Sequence, residues 1–160
     1  MNYLLPLIAV ILGYILALVI QPKKKSNLKL LLAFSGSFLL SVTVISLLPE
    51  VYETKNTTIG LYIMLGILFQ IILEFFSKGA EHGHVHGHQT ITHIPWLLFI
   101  SLCIHALLEG FPVGHHHDLA IGIAIHHLPI AIILTTFFVQ AQLNKKAIFA
   151  FMITFAMMTP

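Results

Sequence analysis

The residues best suited to chemistry lie inside apolar stretches of the chain. His105 and Glu109 are four positions apart, so on a helix their side chains lie one turn apart on the same face. His126 and His127 follow in the next apolar stretch. An imidazole or a carboxylate in hydrocarbon is costly unless it faces a cavity, a partner or an ion. Neutral imidazole nitrogen and carboxylate oxygen suit zinc and similar dications, so these four residues predict a metal site.

Different roles are expected within this set. His105, Glu109 and His126 are the predicted ligands, because they supply two imidazoles and one carboxylate from two consecutive helices. His127 points about 100° around the helix from His126, so we expect it to line the cavity or to support a ligand. Pro129 has no backbone N–H, which predicts a loosened turn and a freed carbonyl oxygen near the site.

Two further histidine clusters lie in predicted loops. A tract of alternating His and Gly follows the third apolar stretch and predicts weak metal binding without fixed geometry. A run of three His and one Asp follows the fourth stretch and is a candidate for recruiting cations. The candidate loop ligands are His82, His84, His86, His88, His115, His116, His117 and Asp118.

The composition excludes a soluble domain. Of 160 residues, 58% are hydrophobic and 9% are charged, whereas soluble domains carry about 25% charged residues. The formal net charge of +2 gives no argument for a nucleic-acid partner. The single cysteine, Cys103, excludes a disulfide framework and a Cys-based zinc cluster.

The apolar pattern predicts an all-α polytopic transmembrane helix bundle, with residues 1–160 as one domain. The predicted full spans are 3–20, 28–48, 59–76, 94–113 and 119–139, and the His-rich loop occupies 77–93. A sixth apolar run has 14 residues after Lys146, which reach only ~21 Å of the ~30 Å hydrocarbon core. We therefore expect a chain truncated within its sixth helix.

Small residues are predicted to bring helices together. Ser35, Gly36 and Ser37 are adjacent in the second span and favour close helix approach. Gly110 and Gly122 are predicted to let the fourth and fifth helices come close to one another, because neither carries side-chain bulk.

Lysine placement predicts the orientation in the membrane. Seven lysines follow the first, third and fifth spans, and one follows the second span. Since cytoplasmic loops carry the excess of basic residues, the N-terminus is expected outside and the His-rich loop in the cytoplasm. We expect an integral protein of the plasma (inner) membrane, in contact with the lipid bilayer. The seven lysines on the predicted cytoplasmic side are Lys23, Lys24, Lys25, Lys29, Lys78, Lys145 and Lys146, and the exception is Lys55.

Several motifs together resemble the ZIP (Zrt/Irt-like) metal-ion transporters. Residues 34–39 (FSGSFL) and 47–50 (LLPE) are similar to the second helix of that family. Residues 105–110 (HALLEG) resemble its fourth-helix motif, and 124–129 (AIHHLP) resemble its fifth-helix motif. The His-rich loop is similar in position, and Thr159 with Pro160 resembles the start of the sixth-helix turn.

The resemblance implies an eight-helix transporter with both termini outside, of which this chain lacks the last two helices and part of the sixth. Zinc, or alternatively iron or manganese, would be the transported substrate and would move into the cytoplasm by an elevator-like or rocking motion. The family often has a polar or acidic residue where this chain has Ala106, Ile130 and Thr159. Since those positions belong largely to a second metal site, we expect one ion per pathway.

Two other function classes remain open at this point. A membrane-embedded metallohydrolase would use Glu109 as a general base beside a His-bound metal, but the His-Glu-x-x-His spacing of that class is absent. A metal-sensing membrane protein would bind the ion without moving it. We expect a transporter rather than an enzyme, and a homodimer is left open.

Overall fold

The computed structural model describes residues 2–20, 25–77, 95–114 and 116–158. Within these ranges the regular elements are all helical and no β-strand occurs, which confirms the predicted all-α class for this part of the chain. The helices are α1 (Leu4–Ile20), α2 (Lys25–Val42), α3 (Leu48–Glu53), α4 (Ile59–Ser77), α5 (Trp96–Gly110), α6 (His117–Gln140) and α7 (Lys145–Met157).

Four helical segments are long and apolar enough to cross a membrane, and they are compatible with an integral membrane helix bundle. These segments are Lys29–Glu53, Ile59–Phe76, Trp96–Gly114 and His117–Gln140. Helix α1 is shorter, at 17 residues, and α7 has 13 residues. The predicted count of five full spans and a partial sixth therefore stays a prediction.

The second helical segment continues past its predicted end at residue 48. A π-helical turn, Thr43–Leu47, joins α2 to α3, and the backbone N–H of Leu48 donates to the carbonyl of Thr43. Pro49 follows in the first turn of α3. A proline ring clashes with the carbonyl one α-helical turn back and offers it no donor. The wider π turn relieves that clash, so the helix extends to Glu53.

Helix α6 is the centre of the bundle. Its most extensive contacts are with α1 and then α2. At the crossing with α1, a Cβ added to Gly13 would lie 2.6 Å from the carbonyl oxygen of Leu128 and 2.7 Å from the Cβ of Ala131. The two helices therefore approach so closely that only glycine fits at position 13.

The predicted roles of the other small residues need correction. Gly122 faces Leu39 and Val42 of α2, at 3.3 and 3.7 Å from an added Cβ, so it favours the α2–α6 contact rather than a contact with α5. No described atom lies within 4 Å of a Cβ added at Gly36. Gly36 therefore does not mediate close packing within the described part of the chain.

Helix α5 packs chiefly against α4 and touches α6 only sparingly. Aromatic rings link it to the bundle through α7: the ring centroids of Phe99 and Phe151 are 4.8 Å apart, and those of Phe138 and Phe151 are 4.7 Å apart. Phe138 lies on α6, so Phe151 bridges the two helices that carry the predicted ligands.

Asn2, the first turn of α3 and the turn before α6 lie at one end of the bundle. The side-chain nitrogen of Asn2 donates to the carbonyl of Val113 at 3.2 Å, and its oxygen accepts from Nδ1 of His117 at 3.2 Å. Nδ1 of His116 lies 3.6 Å from Oε2 of Glu50. We call this the asparagine end of the bundle.

The predicted loop at 115–118 is shorter in the structure. A 3-10 turn, Phe111–Gly114, follows α5 directly. His117 and Asp118 already belong to the first turn of α6, with His116 as the residue before it. A carboxylate in the first turn is favourable beside the positive end of the helix dipole, which explains why Asp118 joins the helix.

Candidate metal centre

The predicted ligands converge where α5 and α6 meet. His105 and Glu109 lie one turn apart on α5, and Nε2 of His105 is 3.2 Å from Oε1 of Glu109. One ligand atom from each of His105, Glu109 and His126 lies within 4.8 Å of the other two. Among the described residues, these three form the only such group of His, Cys, Asp and Glu side chains.

The separation of His105 and Glu109 suits two ligands of one cation, with His126 close enough to be the third. Two ligand atoms on a tetrahedral zinc ion lie about 3.3 Å apart, because each bond is about 2.0 to 2.1 Å long. The 3.2 Å separation of the His105 and Glu109 atoms is close to that value. Three protein ligands leave the fourth position of a tetrahedral ion open.

The side chains of this group are largely shielded from solvent, so a charge there is costly unless another group neutralises it. His105 is buried, and the side chain of Glu109 is 17% exposed. Two neighbouring positions, Ala106 and Ile130, are buried and apolar, so they contribute no ligand atom. A buried carboxylate requires a partner charge or several hydrogen bonds; His127 supplies one such hydrogen bond, and a cation bound beside His105 would supply the partner charge.

His127 contacts the carboxylate and stands outside the three-residue group. Its Nε2–H donates to Oε2 of Glu109 at 3.0 Å, and its ring is fully buried. The ring centroid lies 5.4 Å from that of Phe155 on α7, which restricts its orientation. The bond occupies one carboxylate oxygen and leaves Oε1 beside His105. This arrangement fits the expected supporting role of His127 rather than a ligand role.

Two residues outside the predicted ligand set contact the ligands. The side-chain oxygen of Gln70, on α4, lies 3.1 Å from Nδ1 of His105. The hydroxyl oxygen of Ser35, on α2, lies 3.4 Å from Nδ1 of His126. A glutamine within an apolar span is itself a signal of function. Ser35 carries no such signal, because serine is common where helices pack closely.

Pro129 lies within α6, which remains helical from His117 to Gln140. Because proline has no N–H, the carbonyl oxygen of Ile125 lacks its α-helical donor. Ile125 directly precedes His126. The Ile125 oxygen therefore lies beside a predicted ligand, and its release toward the site stays a prediction.

An open hollow of about 880 Å³ lies between α4 and α5 and leads to the predicted ligands. His105, Glu109 and Gln70 form its polar part. The remaining lining residues are apolar or glycine: Leu65, Gly66, Leu68, Phe69, Ile72 and Leu108. An ion or water reaching this hollow would meet the carboxylate directly.

The other candidate ligands lie apart from this centre or outside the described residues. His116, His117 and Asp118 are at the asparagine end of the bundle, where His116 pairs with Glu50. The predicted sites at His82, His84, His86, His88 and His115 lie outside the described residues, and their metal-binding role stays a prediction.

No family model, curated protein or solved structure matches this chain. The kind of ion that this centre can bind is therefore inferred from its side chains alone: two imidazoles and one carboxylate within 4.8 Å of one another. This donor set suits zinc and neighbouring divalent metals rather than calcium or magnesium, which prefer oxygen ligands alone.

Proposed function

We propose that this protein transports divalent metal ions across a membrane into the cytoplasm, with zinc, or alternatively iron or manganese, as its substrate. The observation that carries the proposal is the group formed by His105, Glu109 and His126 between two apolar helices. Ionisable groups at such positions mark ion pathways in membrane proteins.

Incomplete enclosure supports transport over permanent binding. A structural zinc site is closed by four protein ligands, whereas the part of the chain that the structure describes supplies three. The hollow between α4 and α5 gives access on one side, and α5 and α6 touch sparingly elsewhere. An ion held between two such helices is released when they separate.

The resemblance of residues 105–110 and 124–129 to the ZIP transporter motifs supports the same proposal. The proposal also includes the predicted topology of five full spans and a partial sixth. In this topology α1 is the first span and α7 belongs to the sixth. Only Glu109 supplies a carboxylate in the three-residue group, so one ion is bound at a time.

The proposed orientation has the N-terminus outside a plasma (inner) membrane. Three separate loops carry the lysine excess that marks the cytoplasmic side. The contacts of Asn2 with Val113 and His117 support this orientation, because they require Asn2 and the α5–α6 turn to lie on the same side of the membrane. The contact between Glu50 and His116 requires the same of the first turn of α3.

Chemical labelling tests the orientation. In a Cys103→Ser background, a cysteine placed at His116 is expected to react with a membrane-impermeant thiol reagent in intact cells. A cysteine placed at His86 is expected to react only after permeabilisation, because the lysine excess puts residues 77–93 in the cytoplasm. Labelling at position 86 alone in intact cells would invert the topology.

Uptake of radioactive zinc into proteoliposomes tests the function. Purified protein in vesicles that contain a chelator is expected to accumulate zinc with time, well above protein-free vesicles. A metal sensor would bind a fixed amount at once and accumulate no more, and a metallohydrolase would leave the vesicle content unchanged. Absence of time-dependent accumulation, with the protein correctly inserted, would reject the transport proposal.

A further inference from the structure

Each predicted imidazole ligand has a polar side chain from another helix at its Nδ1 atom. For His105 this is Oε1 of Gln70, at 3.1 Å. A carboxamide oxygen has lone pairs and no hydrogen, so it accepts a hydrogen bond from the Nδ1–H group. A neutral imidazole carries one proton, so His105 in its neutral form, the form that binds a metal ion, has its lone pair on Nε2, which lies 3.2 Å from Oε1 of Glu109.

The hydrogen-bond direction at His126 follows from Ser35. The Ser35 hydroxyl donates to the carbonyl of Leu32 at 2.9 Å, and a hydroxyl has a single hydrogen to give. Toward Nδ1 of His126, 3.4 Å away, its oxygen can therefore only accept. His126 is then protonated on Nδ1 as well, and its Nε2 carries the lone pair. Ser35 is fully buried, which holds the hydroxyl in place.

His127 has the opposite arrangement. Its Nε2–H donates to Glu109, so its lone pair is on Nδ1, which has no hydrogen-bond partner among the described residues. Adjacent histidines of α6 thus differ in protonated nitrogen, and only the proton position of His126 leaves the lone pair of the ring on Nε2.

We propose that Ser35 and Gln70 are positioning residues that hold His126 and His105 in the Nδ1–H tautomer, so that both offer Nε2 to the same divalent cation. This inference rests on the proposed function, which makes that cation the transported substrate. Outer hydrogen bonds of this kind fix the tautomer and orientation of ligand imidazoles and typically change metal affinity about 10- to 100-fold. The two residues also connect α2 and α4 to the site, although neither residue touches the ion.

The tautomers are measurable without any metal. In the metal-free protein labelled with ¹⁵N in its histidine rings, the two ring nitrogens of each tautomer have distinct chemical shifts. Signals are assigned by single replacement of His105, His126 and His127. At a pH at which the three rings are neutral, His105 and His126 are expected to carry their single proton on Nδ1, and His127 on Nε2. A neutral ring of His105 or of His126 with its proton on Nε2 would overturn the inference.

Variants of Gln70 test the link to affinity. Gln70→Leu keeps most of the side-chain volume but has no acceptor, and zinc affinity is expected to fall about 10- to 100-fold with the number of bound ions unchanged. Gln70→Glu has only acceptor oxygens, so it is expected to keep the Nδ1–H tautomer and restore affinity to within a few fold of wild type. If Gln70→Glu were as weak as Gln70→Leu, Gln70 would not act as an acceptor, and the inference would fail.

Ser35 has a matched control on the same helix. Ser35→Ala is expected to release the tautomer of His126 and to lower zinc affinity about tenfold or more, whereas Ser37→Ala is expected to change neither. Equal effects of the two serine variants would overturn the inference. If wild type neither binds nor transports zinc while both ligands carry Nδ1 protons, the proposed function is rejected and the tautomer assignment is supported.

Discussion

Replacement of Glu109 by glutamine is expected to reduce zinc uptake to the level of protein-free vesicles. Glutamine keeps the size of the side chain but removes the only carboxylate of the three-residue group. A dication and a carboxylate 4 Å apart attract one another by on the order of 8 kcal/mol at an effective dielectric of 20. Loss of even half of this corresponds to about a thousandfold in affinity. The measurement is the initial rate of radioactive zinc uptake.

A matched control separates this effect from a general effect of charge. Glu53, at the exposed end of α3, is far along the chain from the three-residue group, and Glu53→Gln is expected to transport at the wild-type rate. Both variants are compared at equal amounts of inserted protein. Near-normal uptake by Glu109→Gln would contradict the assignment of Glu109 as a ligand.

His127→Ala provides a graded comparison. This change removes the hydrogen bond to Oε2 of Glu109 but leaves all three proposed ligands. The expected loss of zinc affinity is about 10- to 100-fold, clearly less than for Glu109→Gln. An effect as large as that of Glu109→Gln would mean that His127 is itself a ligand.

The predictable part of this site depends on local geometry. His105 and Glu109 are four residues apart, and any regular helix brings such a pair together, so their contact follows from the sequence. The helices themselves follow from apolar stretches of sufficient length. The approach of His126 to this pair is a tertiary contact, and only the short connection between α5 and α6 made it a reasonable prediction.

The contacts that hold the imidazoles in place depend on helix packing and were missed. Gln70 precedes His105 by 35 residues, and Ser35 precedes His126 by 91 residues. No periodicity in one sequence relates positions so far apart. The π turn before Pro49 was also missed, because proline in an apolar run predicts the end of a helix, and the structure accommodates it by widening one turn.

The packing partners of the glycines were also not predictable from the sequence. Gly110 and Gly122 were predicted to favour contact between α5 and α6, yet Gly122 faces α2. Gly13 received no prediction, although its added Cβ would meet the backbone of α6. Sequence identifies a small residue, but the rotation of its helix decides which neighbour it faces.

Gly13→Ala is expected to destabilise the bundle because α1 lies too close to α6 for a Cβ. The added carbon would lie 2.6 Å from the Leu128 carbonyl oxygen and 2.7 Å from the Cβ of Ala131, so the helices must move apart. Overpacking of this kind costs typically about 1–3 kcal/mol, partly offset by the roughly 0.8–1.0 kcal/mol by which alanine favours a helix over glycine. Leu128 adjoins His127, so zinc uptake is expected to fall as well.

Two further variants test this explanation. Gly36→Ala makes the same replacement within α2, where no described atom lies within 4 Å of the added carbon, and it is expected to be neutral or slightly stabilising. Ala131→Gly removes one of the two clashing groups, so the double variant Gly13→Ala with Ala131→Gly is expected to recover part of the lost stability. The measurement is the unfolding midpoint in mixed micelles with increasing sodium dodecyl sulfate. If Gly13→Ala and Gly36→Ala unfolded at the same midpoint, or if Ala131→Gly gave no recovery, the close crossing of α1 and α6 would not limit stability.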